Sequence, residues 1–539
     1  MKKPLRQSPL VRPFALPTQL TRRQAVQGAV AFAAASLVAG CGGGSSSSST
    51  PPSPTPPSPT PPSTGTQPTP SGAITQASLA VSATSTGSIG AKFAGLSYEK
   101  STLYENPYLF SGSNTDLIGM FKRLGTSILR VGGNSVDRNT WTPSGSGQTE
   151  GQIAPPDVDA LAAFVKATGW QCLYGVNLGG AGPSPYTSGS ITATTTPTLA
   201  AEEIAYAYQQ LGSSLLGFEI GNECDEYGKS YFSGATWNVS TFESLWAQFR
   251  SAIVTQTAAV APFCTGPADG GSESSWTVPF GKWATDTNIS LLTQHYYRGN
   301  GQAVPAPTAA TLITPDPSLI SNLATLNTGA QAISPGPLPF RLTECNSYYN
   351  GGASGVSNSY GSSLWVIDFL FDNAMGGSVG TNFHGGGDGT GYTPIADSGG
   401  AVVEARPEFY GILLFTLAGQ GALYTADLSD IGSLNVTAYA VKTSSGLNIV
   451  VVNKDSAQNL ELTIQLPQSG SSATLLEMTQ LSTGASGPDI SATSGVTIQG
   501  SSVNVDGSFT PGTAYTLSPS GTEVTCYVPY YSAVLIQVS

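Results

Sequence analysis

The sequence predicts an α/β fold, a (β/α)8 TIM barrel, followed by a C-terminal antiparallel β-sandwich domain. First, short runs rich in Val, Ile, Leu, Phe and Tyr alternate with helix-like segments over about 320 residues. Second, the residue pattern changes near Gly421 to runs in which apolar and polar residues alternate, separated by turns of Ser, Gly and Asn. A doubly wound open sheet is the weaker alternative, because no Gly-rich phosphate motif follows a strand.

The N-terminus has the pattern of an export signal. A basic stretch ends at Arg22-Arg23, an apolar stretch of small residues begins at Ala29, and Leu37–Cys41 resembles a lipobox. The apolar stretch is too short to span a bilayer as a mature helix. We therefore expect residues 1–41 to be a lipoprotein signal peptide with Cys41 as the lipidation site. The protein would be exported by the Sec or the twin-arginine route and anchored in the bacterial cell envelope, facing the periplasm or on the cell surface.

A linker and two domains are expected after the signal. Residues 42–75 consist of Ser, Pro, Thr and Gly with a short PPSPT repeat, a composition that forms an extended spacer rather than a core. We assign residues 76–420 to the catalytic barrel and residues 421–539 to the sandwich. The stretch ASLAVSAT near the start of the barrel segment has the same alternating pattern as the sandwich strands. This first strand is therefore expected to join the second domain.

The charge of the chain argues against a nucleic-acid partner. The chain has 21 Lys and Arg against 33 Asp and Glu, a net charge of −12. Removal of residues 1–40 takes away only basic side chains and brings the net charge to about −18. An acidic polymer would be repelled unless the binding cleft carries its own donors.

Cysteine and histidine usage gives no sign of a metal centre. The chain has six cysteines and two histidines, and no cysteine pair has C-x-x-C spacing. We expect no metal and no organic cofactor. Buried thiols are favoured over one or two disulfides for the five cysteines beyond the lipobox, which are Cys172, Cys224, Cys264, Cys345 and Cys526.

Eight strands and the helices between them can be placed in order. The strand candidates are KFAGLSYE, SILRVGG, QCLYGVNL, LLGFEIGNE, PFCTGPA, ISLLTQHYY, FRLTECNSY and GTNFHGG. Helical periodicity or a proline at the first turn predicts the clearest helices, which are 155–168, 198–211, 240–257, 319–332 and 362–375, with RPEFYGILLFTLAG as the last barrel helix.

Two glutamates end barrel strands that lie opposite one another. Glu223 ends the fourth run and Glu344 ends the seventh, and in a barrel the active site lies at these C-terminal strand ends. A retaining glycosidase needs two carboxyl groups about 5–5.5 Å apart, one protonated and one ionised. Either glutamate alone would be read as a solvated loop residue, whereas the pair predicts acid and nucleophile chemistry.

Four motifs then give a specific resemblance. LRVGGNSVDRNTW, FEIGNECDEY, TQHYYR and LTECNSYYNGG, in this order, resemble glycoside hydrolase family 79 of clan A, which contains β-glucuronidases and heparanases. The resemblance runs from about residue 76 to the end of the chain, over barrel and sandwich. It implies a retaining hydrolase that acts on a glycan bearing a terminal or internal uronic acid.

The resemblance also implies roles for the residues at the strand ends. Glu223 matches the family's acid/base and Glu344 its nucleophile, with Asn222 placed to hydrogen-bond the sugar 2-hydroxyl. The family usually has proline after the acid/base, where this chain has Cys224.

Further substrate contacts follow from the same match. Tyr296 resembles the tyrosine that bonds the nucleophile, with Tyr297 as the rival of opposite strand parity. Glu99 and Asn134 resemble the residues that hold the distal hydroxyls of the terminal sugar.

Recognition of the uronate carboxylate is implied at a third group of residues. Gly351, Gly352 and Tyr392 match the places that bind this carboxylate in the family, and small residues let a backbone approach a ligand closely. A plain loop for the glycines and ordinary packing for the tyrosine remain the alternatives.

Seven other charged or polar side chains near these motifs are assigned to support rather than to catalysis. Glu219 is expected to hydrogen-bond inside the barrel, and Arg130 and Arg138 to pair with carboxylates there. Structural hydrogen bonds or loop positions are expected for the remaining four, which are His295, His384, Asp225 and Glu226.

The sequence therefore predicts a membrane-tethered β-glucuronidase that releases glucuronic acid or 4-O-methylglucuronic acid by double displacement. Another clan A glycosidase, an arabinofuranosidase or galactanase, is the alternative within enzymes. A non-catalytic carbohydrate-binding surface lipoprotein is the alternative outside them. The oligomeric state stays open.

Overall fold

The computed structural model describes residues 65–284, 289–387, 389, 391–481 and 487–539. The signal peptide, Cys41 and the linker up to residue 64 lie outside these residues, so the predictions made for them are untested. Within the described part, no helix is both long and apolar enough to cross a membrane.

Eight parallel strands close into a barrel, as predicted. Their order around the barrel follows the chain order, and the eighth strand pairs with the first. The strands match the eight predicted runs and are, in chain order, Ala94–Glu99, Ile128–Gly132, Gln171–Val176, Leu215–Ile220, Cys264–Asp269, Leu291–Asn300, Phe340–Tyr349 and Thr381–Gly385.

Each barrel strand is followed by a helix on the outer face. The eight helices, in order, are Thr115–Arg123, Pro155–Thr168, Pro197–Leu211, Val239–Gln256, Val278–Trp283, Pro317–Gln331, Tyr360–Met375 and Pro407–Ala418. Proline in the first turn starts the second, third, fifth, sixth and eighth of them, where its missing N–H is not needed. Two shorter helices, Thr102–Glu105 and Ala309–Leu312, lie in the loops.

The remaining ten-stranded sheet forms the sandwich. Its strands are Ile74–Ile89, Gly421–Ser429, Val436–Lys442, Leu447–Asn453, Asn459–Gln465, Ala473–Gln480, Val496–Ile498, Tyr515–Leu517, Glu523–Val528 and Ser532–Val538. Two-residue to five-residue strands form three further hairpins or bridges in the barrel loops, at 140–141 with 152–153, 187–188 with 191–192, and 395–398 with 401–405.

The first strand joins the sandwich, as its alternating residue pattern predicted. Ile74–Ile89 pairs antiparallel with Gly421–Ser429 and parallel with Asn459–Gln465. The strand begins two residues before the predicted start of the barrel segment at residue 76. The sandwich therefore consists of both ends of the described chain, and the barrel is inserted between them.

The sandwich packs against the barrel through its second face. In Leu447–Asn453, Ile449 and Val451 face the inner sandwich core, while Val450 and Val452 belong to the same apolar cluster as the barrel helices. A strand buried on both faces reads as a continuous apolar run, which explains the NIVVVN segment.

The five cysteines beyond the lipobox confirm the prediction of buried thiols. All five are free and buried, and burial raises the pKa of each thiol. A raised pKa keeps a thiol protonated and unreactive at neutral pH.

Candidate active site

The two predicted carboxyl groups meet at the mouth of the barrel. Oxygen atoms of Glu223 and Glu344 and a ring nitrogen of His295 all lie within 4.8 Å of one another. Three such groups could hold a metal ion, but two of them are the carboxyl pair itself, so this cluster adds no separate metal site. The separation agrees with the spacing of a retaining pair, about 5–5.5 Å.

One detail of the prediction is wrong. Glu344 does not end its strand, because the seventh barrel strand continues from Phe340 to Tyr349. Glu344 lies in the middle of this strand and is 5% exposed. The long strand extends above the barrel rim, so that a mid-strand residue still reaches the mouth.

Glu223 lies just beyond its strand in a tight turn. Its φ of 48° is left-handed, and its N–H donates to the carbonyl of Ala268 on the fifth strand at 2.7 Å. Gly221, with φ of 88°, allows the turn, because a Cβ there would approach Cys224 Sγ to 2.5 Å and Tyr227 Oη to 2.7 Å. Cys224, where the family usually has proline, is buried and fills the space under this turn.

Glu344 is surrounded by cations and donors. Arg130 Nη1 donates to its Oε2 at 2.7 Å, Tyr297 Oη donates to its Oε1 at 2.8 Å, and nitrogens of His384 and His295 lie 3.8 and 3.9 Å from Oε2. Burial alone would raise the pKa of the Glu344 carboxyl, but these positive charges and the phenol hold it well below its usual range. Glu344 is therefore ionised, as a nucleophile must be.

Glu223 has a different environment. Its side chain is 26% exposed, and its Oε1 lies 3.1 Å from His295 Nδ1. Among the described residues, no guanidinium pairs with Glu223 as Arg130 pairs with Glu344. The two carboxyl groups thus differ in burial and in charge, as the separate roles of acid/base and nucleophile require.

The assignment of Tyr296 to the nucleophile is wrong, and its rival Tyr297 takes the place. Tyr296 points out of the barrel, where its hydroxyl donates to Asp316 Oδ2 at 2.9 Å. Tyr297 shares the inward parity of His295 and donates to Glu344. Alternation along the strand could not choose between the two tyrosines, because it does not show which parity faces inward.

Glu99 and Asn134 lie together at the rim, as predicted. Glu99 accepts hydrogen bonds from the N–H of Asn134 at 3.3 Å and from the N–H and hydroxyl of Ser135 at 2.8 and 2.6 Å. His384 Nε2 lies 3.7 Å from Glu99 Oε1. Asn134 is exposed, so its side chain is accessible to a ligand.

Asn222 has a free donor in the site. Its Oδ1 accepts from Arg130 Nη2 at 2.9 Å, which fixes the amide orientation, while its buried Nδ2 has no partner in the described structure. A buried amide donor without a partner is rare unless a ligand satisfies it. This agrees with the predicted contact to a sugar hydroxyl.

The residues that the resemblance assigns to uronate recognition come together. A Cβ on Gly352, whose φ is 88°, would lie 2.9 Å from the backbone nitrogen of Tyr392, so the two loops touch. Gly351 is exposed with φ of 81° and open space around it. The Tyr392 ring lies 5.8 Å from the Tyr297 ring and 6.0 Å from His384, beside the nucleophile.

Four of the support assignments are confirmed. Glu219 accepts from Arg130 Nε at 2.6 Å and from Thr343 Oγ1 at 2.9 Å, so Glu219 and Arg130 form the buried network inside the barrel. Glu226 is a loop charge that pairs with Lys229. Asp225 is also in the loop, where it accepts from the N–H of Gly270 and the hydroxyl of Ser272.

The support assignment for Arg138 needs correction. His295 and His384 are hydrogen-bonded near the site, as predicted, and both lie within 4 Å of Glu344. Arg138 is exposed, and its guanidinium lies over the ring of Tyr186 rather than on a carboxylate inside the barrel.

Two supporting contacts were missed from the sequence. Asp137 accepts from Tyr227 Oη and from the N–H groups of Leu178 and Gly179, and Tyr227 Oη accepts from the N–H of Asn222 at 3.2 Å. The loops after the second, third and fourth strands are thereby joined. In the sequence, VGGNSVDR shows Asp137 only as a charged residue. No local pattern indicates that Tyr227 is the partner of Asp137.

The second missed contact is behind the nucleophile. Asn346 Nδ2 donates to the carbonyls of His384 and Tyr392 at 3.0 and 2.9 Å and lies 3.3 Å from Glu408 Oε2. The amide therefore holds the eighth strand and the Tyr392 loop against the seventh strand.

The chain is similar in sequence to two proteins that are both named β-glucuronidase. No family model matches the chain. A β-glucuronidase of Aspergillus niger is 26% identical over 300 residues, which are 49% of this chain and 51% of that protein. A β-glucuronidase of Neurospora crassa is 24% identical over 397 residues, 65% of this chain and 68% of that protein. The chain thus spans about half the length of the first relative.

Solved structures share the architecture. A 4-O-α-L-rhamnosyl-β-D-glucuronidase of Fusarium oxysporum aligns with a TM-score of 0.68 at 18% identity, over 85% of this chain and 100% of that one. A family 51 arabinofuranosidase of Xanthomonas axonopodis aligns with a TM-score of 0.62 at 14% identity, over 86% and 100%. The fold is that of these glycoside hydrolases. The two β-glucuronidase relatives confirm the resemblance to glycoside hydrolase family 79.

Proposed function

We propose that the protein is a retaining β-glucuronidase that releases glucuronic acid, or its 4-O-methyl form, from glycans. The observation that carries the proposal is the pair Glu223 and Glu344, with carboxyl oxygens within 4.8 Å at the mouth of a (β/α)8 barrel. The names of the relatives support the same reaction class.

The two carboxyl groups would divide the chemistry between them. Glu344, ionised beside Arg130, attacks the anomeric carbon while Glu223 protonates the departing glycosidic oxygen, so that the sugar becomes an ester of Glu344. Glu223 then takes a proton from water, which attacks the same carbon and releases the sugar with its β configuration. The free Nδ2 of Asn222 would donate to the 2-hydroxyl during both steps.

Recognition of a uronate is supported by the contact between two loops. Gly352 lies against the backbone of Tyr392, and both stand beside the nucleophile, where the C6 carboxylate of a bound glucuronide would need donors. The left-handed glycines leave their N–H groups without a side chain to cover them. A neutral furanoside needs no such donors, which favours a uronidase over an arabinofuranosidase.

The test is hydrolysis of an aryl β-D-glucuronide beside the matching glucoside, galactoside and arabinofuranoside. Protein beginning at residue 65 retains the strand Ile74–Ile89. We expect turnover of the glucuronide, β-glucuronic acid as the first product by NMR, no turnover by Glu344→Gln, and a loss of about 10²–10⁴-fold in Glu223→Gln. Glu226→Gln, which removes an exposed carboxylate in the same loop, serves as the matched control.

Other outcomes would favour the alternatives. Turnover of a neutral sugar alone would indicate another glycosidase of this fold. If the parent hydrolyses nothing and binds a glycan as well as Glu344→Gln does, the protein is a carbohydrate-binding lipoprotein.

We also propose that Cys41 carries the lipid anchor in the cell envelope. The lipobox Leu37–Cys41 and the Ser/Pro-rich segment after it support this location. Metabolic labelling with palmitate should mark the parent and Ser45→Ala but not Cys41→Ala. Labelling of the Cys41 variant would contradict the anchor.

A further inference from the structure

Asn222 is held at its backbone and at its side chain, although it lies beyond the end of its strand at Ile220. Its N–H donates to the hydroxyl of Tyr227 at 3.2 Å, and both residues are buried. Its amide oxygen accepts from Arg130 Nη2 at 2.9 Å. These two hydrogen bonds determine where the Nδ2 atom points, which has no partner among the described residues.

The Tyr227 hydroxyl is in turn oriented by a buried carboxylate. It donates to Asp137 Oδ2, while Asp137 Oδ1 accepts from the N–H groups of Leu178 and Gly179 at 2.9 and 2.8 Å. A tyrosine hydroxyl has one proton, and an ionised carboxylate can only accept. Because the proton points at Asp137, the oxygen of Tyr227 is left as the acceptor for the N–H of Asn222.

The ring of Tyr227 is packed among other aromatic rings. Its centroid lies 4.9, 6.2 and 5.6 Å from those of Tyr231, Phe232 and Trp237. Trp237 Nε1 also donates to the carbonyl of Cys224, the residue after the acid/base, at 2.7 Å. A side chain that is locked by packing and hydrogen bonds can hold a neighbour within about 0.5 Å of its working position.

Glu223, which follows Asn222, has contacts of its own. Its N–H donates to the carbonyl of Ala268 at 2.7 Å, and its Oε1 lies 3.1 Å from His295 Nδ1. The hydrogen bond from Asn222 to Tyr227 therefore acts on Asn222 more than on the acid/base. Its removal should disturb the sugar contact of Asn222 and leave proton transfer by Glu223 largely intact.

We propose that Tyr227 and Asp137 are positioning residues that direct the Nδ2 atom of Asn222 at the 2-hydroxyl of the cleaved sugar. The inference rests on the proposed function and extends it to two residues outside the sugar pocket. Both are 1% exposed, so they act through Asn222. Hydrogen bonds to the 2-hydroxyl strengthen in the transition state of glycoside hydrolysis. A displaced Nδ2 atom should therefore lower kcat more than it raises KM.

The experiment compares an aryl β-D-glucuronide with its 2-deoxy form, in which hydrogen replaces the 2-hydroxyl. The ratio of the two kcat/KM values does not depend on the folded fraction of a variant, and the intrinsic reactivity of the substrates cancels between variants. Tyr227→Phe should lower kcat/KM for the glucuronide about tenfold, mostly through kcat, and that for the 2-deoxy form much less. Asp137→Asn should act in the same direction, because an amide has one acceptor oxygen where the carboxylate has two.

Tyr206→Phe is the matched control, because Tyr206 also donates its hydroxyl to an aspartate, Asp159 Oδ1 at 2.8 Å, between two outer helices. This variant should leave the ratio unchanged. Asn222→Ala should lower the ratio, and Tyr227→Phe added to it should lower the ratio no further, because both act on one contact. An equal loss on both substrates in Tyr227→Phe would show a general structural role and overturn the proposal, as would no loss on either.

The failure of this inference can be distinguished from the failure of the proposed function. If the parent cleaves the glucuronide and Tyr227→Phe leaves the ratio unchanged, only the positioning role fails. If the parent cleaves a neutral aryl glycoside instead, that glycoside and its 2-deoxy form make the pair. If the parent cleaves nothing, dissociation constants of the glucuronide and its 2-deoxy form for the parent and Tyr227→Phe test the positioning role. A loss of affinity confined to the 2-hydroxyl form supports it, whereas equal losses, or no binding of either form, contradict it.

Discussion

Tyr296 and Tyr297 are adjacent in one barrel strand and differ only in the face that each presents. Tyr297 donates to the nucleophile at 2.8 Å, and Tyr296 donates to Asp316 outside the barrel at 2.9 Å. Glu344 is ionised because of such donors, since burial by itself would favour the neutral acid. The residues that touch Glu344 therefore matter as much as the carboxylate.

We predict that Tyr297→Phe lowers kcat/KM for an aryl β-glucuronide about 10–100-fold, because a hydrogen bond to a charged group contributes about 1.5–3 kcal/mol. Tyr296→Phe removes the same atom from the next residue and should change kcat/KM little. Steady-state kinetics of both variants checks this. Equal losses in the two variants would mean that the strand, and not the bond to Glu344, is responsible.

The pKa values of the two histidines depend on the charges of the site. Burial disfavours their protonated forms, but Glu344 raises the pKa of both His295 and His384 above the usual value, with Glu223 acting on the first and Glu99 on the second. Because these pKa values are raised on folding, the histidines add stability below about pH 6.5, and the contribution is lost as the pH rises through the folded values.

We predict that Glu344→Gln lowers the pKa of both imidazoles, since it removes the carboxylate that they share. Glu223→Gln should lower that of His295 more, and Glu99→Gln that of His384 more. The chain has only two histidines, so NMR titration of tag-free protein gives two signals to follow. Glu226→Gln should leave both unchanged. If the pKa values do not respond to Glu344→Gln, the nucleophile does not carry the charge argued for it.

At the scale of elements, the sequence determined which segments are strands and helices better than where their side chains point. The helix Pro155–Thr168 was predicted to the residue, the next four begin one or two residues earlier than expected, and the last barrel helix lies one residue inside its predicted segment at each end. Apolar periodicity carries this information. It does not show which of Tyr296 and Tyr297 faces inward, nor the loop partner of Arg138, because both depend on neighbouring segments.

The site was predictable to the extent that it lies in motifs at strand ends. Glu223 and Glu344 could be paired because parallel strands bring their C-terminal ends together. The hydrogen bond from the Asn346 amide to the Tyr392 carbonyl could not be predicted, because every sequence offers backbone carbonyls as acceptors.

The loop after the seventh strand gives an element-scale prediction. Gly351 and Gly352 both have positive φ, so either alanine pays about 1–2 kcal/mol of backbone strain. Only at Gly352 would the new Cβ meet the Tyr392 backbone, at 2.9 Å. We predict that Gly352→Ala lowers the ratio of glucuronide to glucoside hydrolysis and that Gly351→Ala does so less. Equal ratios in the two variants would show that uronate recognition does not depend on the contact between Gly352 and the Tyr392 backbone.

At the scale of the whole molecule, barrel and sandwich share one core. The ring of Phe371 on a barrel helix stacks on Tyr439 of the sandwich at 4.2 Å, and Tyr360 Oη donates to the carbonyl of Tyr531 at 2.7 Å. Asp368 on the same barrel helix accepts from Tyr439 and pairs with Lys454 of the sandwich. One apolar cluster contains residues of both layers. A shared core of this kind makes the two domains unfold together.

We predict a single calorimetric unfolding transition for the described barrel and sandwich. Lys454→Met should lower the free energy of unfolding by about 3 kcal/mol, because Lys454 is buried and its removal leaves Asp368 without its counterion. The transition should move to lower temperature and stay single. Lys229→Met breaks an exposed pair with Glu226 and should leave the midpoint unchanged. Two separate transitions in the parent, or a Lys454 variant in which only the sandwich unfolds early, would show that the domains are independent and that the barrel does not need the sandwich to hold its seventh and eighth strands at the active face.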